Sequence, residues 1–418
     1  MHCSRRHLLA GAGTGLGLAT LGFPGLANAL EGSKLKFIFV YNYGGWDPTR
    51  VFATEFDNRM VDMERDAEPG EIGELSFVDH EDRPSVRAFF ERFGDQTTLV
   101  NGVLVPSVAH ENCLKLSLTG TSADGAPDWL AILAGEQLQT YALPHLVVGG
   151  PSFPGDQGSA VTRAGSSGQL EGLLSGDILN WSEISTSAPS RRAEDIMDDY
   201  MARRAAAAAD YAGPGREAKL LGAYESALGR GTALKDLLHV LDWSGGSDLS
   251  AQSEMAVGAL SLGIARCCTL GFSYYGWDTH VLNDLYQSLN FERLFSGLSD
   301  LMDRLRATPG EVEASLADET VLVVMSEMGR TPQLNDGDGK DHWPYTSMMI
   351  TGPGLRGGVV GAFDEYYQGE LVDYDSGDTH RDGRELGAVN VGCSLLQLAG
   401  IDHERFHPGV DAIPGLLA

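Results

Sequence analysis

Several side chains able to grip a cation stand beside short apolar runs of this sequence. Asp47 follows KFIFVYNYGGW, Asp278 and His280 follow CCTLGFSYYGW, and Glu327 follows TVLVVMS. Asp341 and His342 lie in the loop NDGDGKDHWP, just ahead of YTSMMIT. Carboxylates and imidazoles are the groups that bind hard and borderline divalent ions. Two carboxylates with two imidazoles neutralise one ion, and further carboxylate is at hand for a second. Each residue also has a plainer reading. Asp47, ahead of Pro48, suits a helix N-cap, and Asp278 suits a cap for the helix after it. His280 and His342 suit hydrogen-bonded core histidines, and Glu327 suits a surface pair with Arg330. What sets the group apart is that three separate apolar runs each deliver acidic residues, with histidines close by.

Those runs read as strands. KLKFIFVYNYGG, TTLVNGVLV, PHLVVGG, ARCCTLGFSYY, ETVLVVMSEMGRTP and YTSMMITGPG are β-rich. ETVLVVM is continuously apolar, as a central parallel strand should be. Elsewhere the pattern turns helical. EDIMDDYMARRAAAAADYA and REAKLLGAYESAL are Ala/Leu-rich with charges at helical spacing. The spacing also predicts a long amphipathic helix over about 282–306, with Leu285, Leu289, Leu294, Leu298, Leu301 and Leu305 on one apolar stripe. Strands alternating with helices predict an α/β sheet covered on both faces. In such a sheet ligands gather beyond the carboxyl ends of the strands, where these acids and histidines are expected.

The chain has 418 residues, 43% of them apolar and 21% charged. That is room for one large α/β domain or two average ones, with a sizeable core. Asp and Glu number 58 against 30 Lys and Arg, a formal charge of −28. Such a surface repels phosphate backbones and anionic membranes, so no nucleic-acid partner is expected. An anionic ligand is accommodated where a bound cation reverses the field locally. Residues 1–29 carry Arg5-Arg6, a weakly apolar Gly/Ala-rich stretch and a closing Ala27-Asn28-Ala29. This is similar to a twin-arginine export signal, which predicts a periplasmic or secreted protein with its domain over residues 30–418. No later segment is long and apolar enough to span a bilayer, so no stable membrane insertion is expected after cleavage. Beyond the leader, Cys113, Cys267, Cys268 and Cys393 lack C-x-x-C spacing and are expected as buried thiols.

Taken together, YGGWDP, GWDTH, VVMSEMGRTP, and GKDHWP followed by TGPGLRGG resemble a bacterial exported family catalogued as domain of unknown function 1501. That family is similar to a branch of the alkaline phosphatase and sulfatase superfamily, and the resemblance runs from about Phe37 to Leu398. It implies an alkaline-phosphatase-like α/β fold, a mixed and mostly parallel sheet sandwiched by helices, on which the helical pattern over residues 195–262 reads as an insertion or cap. It implies metal ligands at Asp47, Asp278, His280, Glu327 and His342, with Met328 standing where the superfamily has an imidazole. The superfamily also starts a helix ending near L-T-G with its nucleophile. Counting back from Leu118-Thr119-Gly120, that position falls at Ala109-His110, where the family carries Ser-His. His110 is therefore a candidate metal ligand, nucleophile or acid/base, with a plain helix-start role as the alternative. Cys113 lacks the C-x-P-S-R context of a sulfatase cysteine. Arg330 is a candidate contact to an anionic ester, because a guanidinium matches a tetrahedral oxyanion bidentately.

The function expected from these readings is a periplasmic, metal-dependent hydrolase of phosphate or sulfate esters. Its cofactor would be a divalent metal (zinc, calcium or magnesium), and its substrate a small anionic ester or a sulfated or phosphorylated polymer. The alternative is a metal-containing scaffold or binding protein of the same fold, without turnover and with a protein partner. The missing serine and Met328 favour that second reading. No dinucleotide fingerprint follows the first strand, which sets a redox enzyme aside.

Overall fold

The structure is a computed structural model that describes residues 34–418, apart from 139, 165–169, 171–188, 214 and 238–246. The expected leader over residues 1–29 lies outside the described residues. Strand β1 (Lys36–Tyr41) comes first. A hairpin of β2 (Glu68–Ile72) and β3 (Leu75–Asp79), then helix α1 (Pro84–Phe93), lead to β4 (Thr97–Leu104). Helices α2 (His110–Thr119) and α3 (Trp129–Gly135) precede the short strands β5 (His145–Val147) and β6 (Val161–Arg163). Helices α4 (Arg191–Ala209), α5 (Arg216–Leu237) and α6 (Leu249–Ser261) carry the chain to β7 (Cys267–Gly271). The long helix α7 (Asn283–Ala307) leads to β8 (Thr320–Met325) and two short strands, β9 (Gly329–Arg330) and β10 (His342–Trp343). Strands β11 (Tyr345–Thr351) and β12 (Gly358–Val360) and helix α8 (Ala388–Leu398) follow.

Eight strands form one sheet in the order β12-β4-β11-β8-β1-β7-β5-β6. β1 sits between β7 and β8 and is parallel to both. Within this sheet only β11 is reversed, antiparallel to β4 and β8. The expected α/β architecture is thus present, with a mixed and mostly parallel sheet. Side chains alternate along β1, as a buried strand requires. Ile38 and Val40 face a layer built from α1, α6 and α7, where Phe89, Phe90, Met255, Phe295 and Leu298 are buried. Phe37, Phe39 and Tyr41 face the other layer, built from α2, α3 and α8, with Leu118, Trp129, Ile132 and Leu395. Both faces of β1 and β8 are therefore apolar, which explains their unbroken hydrophobic runs.

Two expectations about helices need correction. On α7, Leu294, Leu298, Leu301 and Leu305 are buried, but Leu285 and Leu289 are 53% and 37% exposed. The first turns of this helix run past the edge of the core, so its apolar stripe faces solvent there. The helical stretch over 195–262 is also not uniform. α4 and α5 pack on each other and leave Ile196, Met197 and Tyr200 exposed, whereas α6 buries Met255, Ala256, Ala259 and Leu260. α6 thus belongs to the layer over the sheet. The four described cysteines are all buried free thiols. Burial pushes Cys267 up to about 12 and Cys113 up to about 11, which leaves both protonated and unreactive.

Strand direction decides what collects at one end of the sheet. The carboxyl ends of β1, β4, β7 and β8 open into the segments that hold Tyr43–Asp47, His110, Tyr274–His280 and Ser326–Arg330. Because β11 is reversed, its beginning lies at this same end, which brings the preceding β10 and His342 alongside. β10 then pairs with β9, setting His342 directly opposite Arg330.

Candidate metal centre

Asp278 is the hub of the cluster. Its Oδ1 lies 3.1 Å from His280 Nε2 and 3.1 Å from His342 Nε2, and its Oδ2 lies 3.4 Å from His110 Nε2. His280 and His342 approach each other to 3.0 Å through their Nε2 atoms. His110, Asp278 and His342 offer ligand atoms that all lie within 4.8 Å of one another. Asp278 and His280 are 47% and 44% exposed, so the cluster is open to solvent on one side.

Each histidine is held from behind by its other ring nitrogen. His110 Nδ1 is 2.8 Å from Glu327 Oε1, His280 Nδ1 is 2.8 Å from Asp341 Oδ1, and His342 Nδ1 is 2.8 Å from the Val108 carbonyl oxygen. A carbonyl or ionised carboxylate only accepts, so each Nδ1 carries a proton, and in the neutral ring Nε2 is the atom left with a lone pair for a cation. Three lone pairs and a carboxylate therefore face one another. His110 Nε2 is buried and has no hydrogen-bond partner. Such an arrangement suits a cation at its middle, and it has the rear-anchored histidines typical of metal sites. His110, Asp278 and His342 fit a divalent metal, and His280, which meets Asp278 and His342, stands beside that set.

The remaining expected ligands take other places. Glu327 is fully buried, and both its oxygens are used. Oε1 accepts from His110 Nδ1 and from the Gly44 amide, and Oε2 accepts from the Ser326 hydroxyl. It orients His110 and does not face the cluster. The Glu327 hydrogen bond also holds His110 above the usual imidazole range. Asp47 is likewise buried and stands apart. Its Oδ1 accepts from the Thr49 amide and hydroxyl, which is the N-cap of a short 3-10 turn over Pro48–Arg50. Its Oδ2 accepts from Asn283 at 2.8 Å and from Lys340 Nζ at 2.9 Å. An ammonium thus fills the place expected of a metal. Burial pushes the Asp47 carboxyl up, but Lys340 and Arg50 outweigh it and hold it well below the usual carboxylate range.

Arg330 is not free to meet a substrate. Its guanidinium is fully buried and donates to the carbonyls of Gly44, Gly45, Trp277 and Lys340 and to Asp278 Oδ1 at 2.6 Å. It ties three loops together and fixes Asp278. Partial burial raises the Asp278 carboxyl, but the Arg330 bond and charge prevail and bring it down to about 2. The glycines of the YGGWD phrase make this contact possible. Gly44 and Gly45 adopt φ of +128° and +80°. A Cβ on Gly44 would lie 2.8 Å from the Asp278 amide, and one on Gly45 would lie 2.8 Å from Met328 Cγ. Met328 itself is buried in the core and contributes no ligand.

Asp341 and the Val108 carbonyl are the partners that sequence reasoning passed over as anchors. Asp341 carried a signal, since it directly precedes His342 in GKDH. Val108 acts through its backbone, which no residue type discloses. Ala109 is the N-cap of α2 and brings no hydroxyl.

Residues 252–407 match the model of a family described as Protein of unknown function (DUF1501). The matched stretch holds the phrases GWDTH, VVMSEMGRTP and GKDHWP, three of the motifs on which the sequence resembles that family. Its structure is similar to a putative sulfatase from Bacteroides thetaiotaomicron VPI-5482, at 9% identity and a TM-score of 0.41, over 92% of this chain and 74% of that one. It is similar to the lipoteichoic acid synthase LtaP from Listeria monocytogenes, at 10% identity and a TM-score of 0.40, over 92% and 76%. A phosphonate monoester hydrolase of Agrobacterium radiobacter is similar at 13% identity and a TM-score of 0.30, over 88% and 74%. No curated protein matches the sequence.

Proposed function

We propose that this chain is an exported, metal-dependent hydrolase of phosphate or sulfate esters. The observation that carries the reading is the gathering of His110, His280 and His342, each through Nε2, around the solvent-open Asp278 carboxylate. Imidazole-rich donor sets suit zinc, whereas calcium and magnesium prefer oxygen. Of the three metals the sequence admits, zinc is the one this donor set favours. When bound, such an ion supplies Lewis acidity to the ester oxygen and a nucleophile at neutral pH.

The chain's own residues divide the remaining work. His110, His280, His342 and Asp278 hold the cation. Glu327, Asp341 and the Val108 carbonyl keep each Nδ1 protonated and each ring aimed. Arg330 holds Asp278 ionised and in place. Since Ala109 has no hydroxyl, the attacking group in this reading is water. The twin arginines and Ala27-Asn28-Ala29 support export.

A second reading is a metal-holding scaffold without turnover. Ala109 at the start of α2 favours it, because the side chain expected to attack is missing. Metal analysis of the exported protein, combined with turnover of aryl phosphate and aryl sulfate, separates the two. Hydrolysis that disappears in Asp278→Ala supports the hydrolase. A zinc-loaded protein inert toward both esters supports the scaffold.

A further inference from the structure

The segment between β7 and Asp278 carries two tyrosines that the centre does not use. Tyr274 and Tyr275 are 52% and 55% exposed and pack edge to face, with ring centroids 4.4 Å apart. They are not loose. The Tyr275 amide donates to Asn290 Oδ1 at 2.9 Å, and Asn290 Nδ2 donates to the Gly276 carbonyl at 2.7 Å. Asn290 is fully buried, so the loop is pinned to α7. The Tyr286 ring packs at a tilt against Tyr275, with centroids 5.9 Å apart. Chain length bounds the distance to the centre. Tyr275 is three residues from Asp278, at most roughly 11 Å of extended chain.

Arg293, two turns further along α7, extends this surface. Its guanidinium lies 5.2 Å from the Tyr274 ring centroid, and it is exposed. Among the described residues it has no ion-pair partner, although the protein carries 58 acidic residues against 30 basic ones. An unpaired arginine in such a surplus of carboxylate is available for an outside anion.

We propose that Tyr274, Tyr275 and Arg293 form an accessory subsite for a sugar ring bearing a sulfate or phosphate group. This deepens the hydrolase reading and rests on it, since it supplies the polymer that presents an ester to the neighbouring centre. Rigid exposed aromatic rings offer a face to the polarised C–H groups of a pyranose, with little conformational entropy lost. The planar guanidinium matches the oxygens of a sulfate or phosphate substituent. A nucleic acid fits less well, because its dense backbone charge meets the acidic surface all along its length.

The test is titration calorimetry of the zinc-loaded protein with three probes: a sulfated galactan hexasaccharide, its desulfated counterpart and a phosphorylated mannan hexasaccharide. One of the anionic sugars should bind at least tenfold more tightly than the desulfated one, and which one it is tells sulfate from phosphate. The double variant Tyr274→Ala/Tyr275→Ala should weaken that binding tenfold or more, and Arg293→Ala should reduce it to the level of the desulfated probe. The pair Tyr274→Phe/Tyr275→Phe, which keeps the rings, should still bind. His342→Ala should retain binding while losing metal. The subsite is overturned if no hexasaccharide binds, if the alanine variants bind like the parent, or if only an oligonucleotide or an apolar peptide lying over Leu285 and Leu289 is retained. A protein that binds the sugar but hydrolyses no ester keeps the subsite and loses the hydrolase. One that hydrolyses aryl esters without binding the sugar does the reverse.

Discussion

His280 and His342 meet Nε2 to Nε2 at 3.0 Å, while their Nδ1 atoms rest on Asp341 Oδ1 and the Val108 carbonyl. Two lone pairs at that separation repel unless a proton or a cation lies between them. Asp278 Oδ1, 3.1 Å from both, supplies the negative charge that makes a cation favourable there. The backbone and carboxylate anchors prevent either ring from turning away.

Metal content follows directly from this relationship. The protein is expected to carry about one equivalent of zinc by elemental analysis. Chelation should lower Tm, and zinc added back should restore it. At a free zinc concentration a hundredfold above Kd, the gain is about 2.7 kcal/mol, roughly 3 °C for a domain of this size. Asp278→Ala should abolish the response to zinc, and a response that survives in that variant would show that the ion binds elsewhere.

Glu327→Gln tests the anchor behind His110. The amide keeps the size of the side chain but loses the charge that holds the Nδ1 proton. Zinc affinity should fall by roughly 10- to 100-fold, as for other outer-shell partners of metal-bound histidine. Competition with a fluorescent chelator measures this. An unchanged affinity would place His110 outside the ligand set.

Arg330 and Gly45 should matter for stability more than for recognition. Arg330→Met leaves the carbonyls of Gly44 and Lys340 unpaired, leaves those of Gly45 and Trp277 to Gln287, and releases Asp278. Loss of one partner from such a buried network typically costs about 3–5 kcal/mol. Gly45→Ala requires a Cβ at φ +80° against Met328, a loss of about 1 kcal/mol or more. Urea unfolding should rank Arg330→Met as the more damaging. Equal stability of Arg330→Met and the parent would mean that the guanidinium is free for substrate after all.

Acid stability should depend on Asp47. Its folded-state pKa is depressed by Lys340 and Arg50, against the opposing effect of burial. The unfolded chain takes up a proton near pH 4, before the folded chain does. The stabilisation is therefore complete above about pH 4 and is lost as pH falls below it toward the folded pKa. Asp47→Asn should be several kcal/mol less stable than the parent at pH 7, and the gap should narrow steadily as pH falls from 4 to 2. Urea midpoints across that range measure it. A gap that stays constant with pH would rule out the ion pair as its cause.

Much of this protein was legible in its residues before any coordinates. Unbroken apolar runs at Phe37–Tyr41 and Val321–Met325 marked central strands, because a strand buried on both faces has no polar side to show. The acids and histidines just beyond those runs marked the end of the sheet where the centre lies. Only the tertiary structure decided which of them share it. Asp47, Asp278 and Glu327 look alike in sequence, each a carboxylate past a strand, yet they differ in what the fold places against them. Lys340 neutralises Asp47, Glu327 is turned behind His110, and Asp278 alone is left facing three lone pairs. Those partners are hundreds of residues apart in places, and a spacing pattern records neither the reversal of β11 that brings His342 across nor the backbone carbonyl that aims its ring.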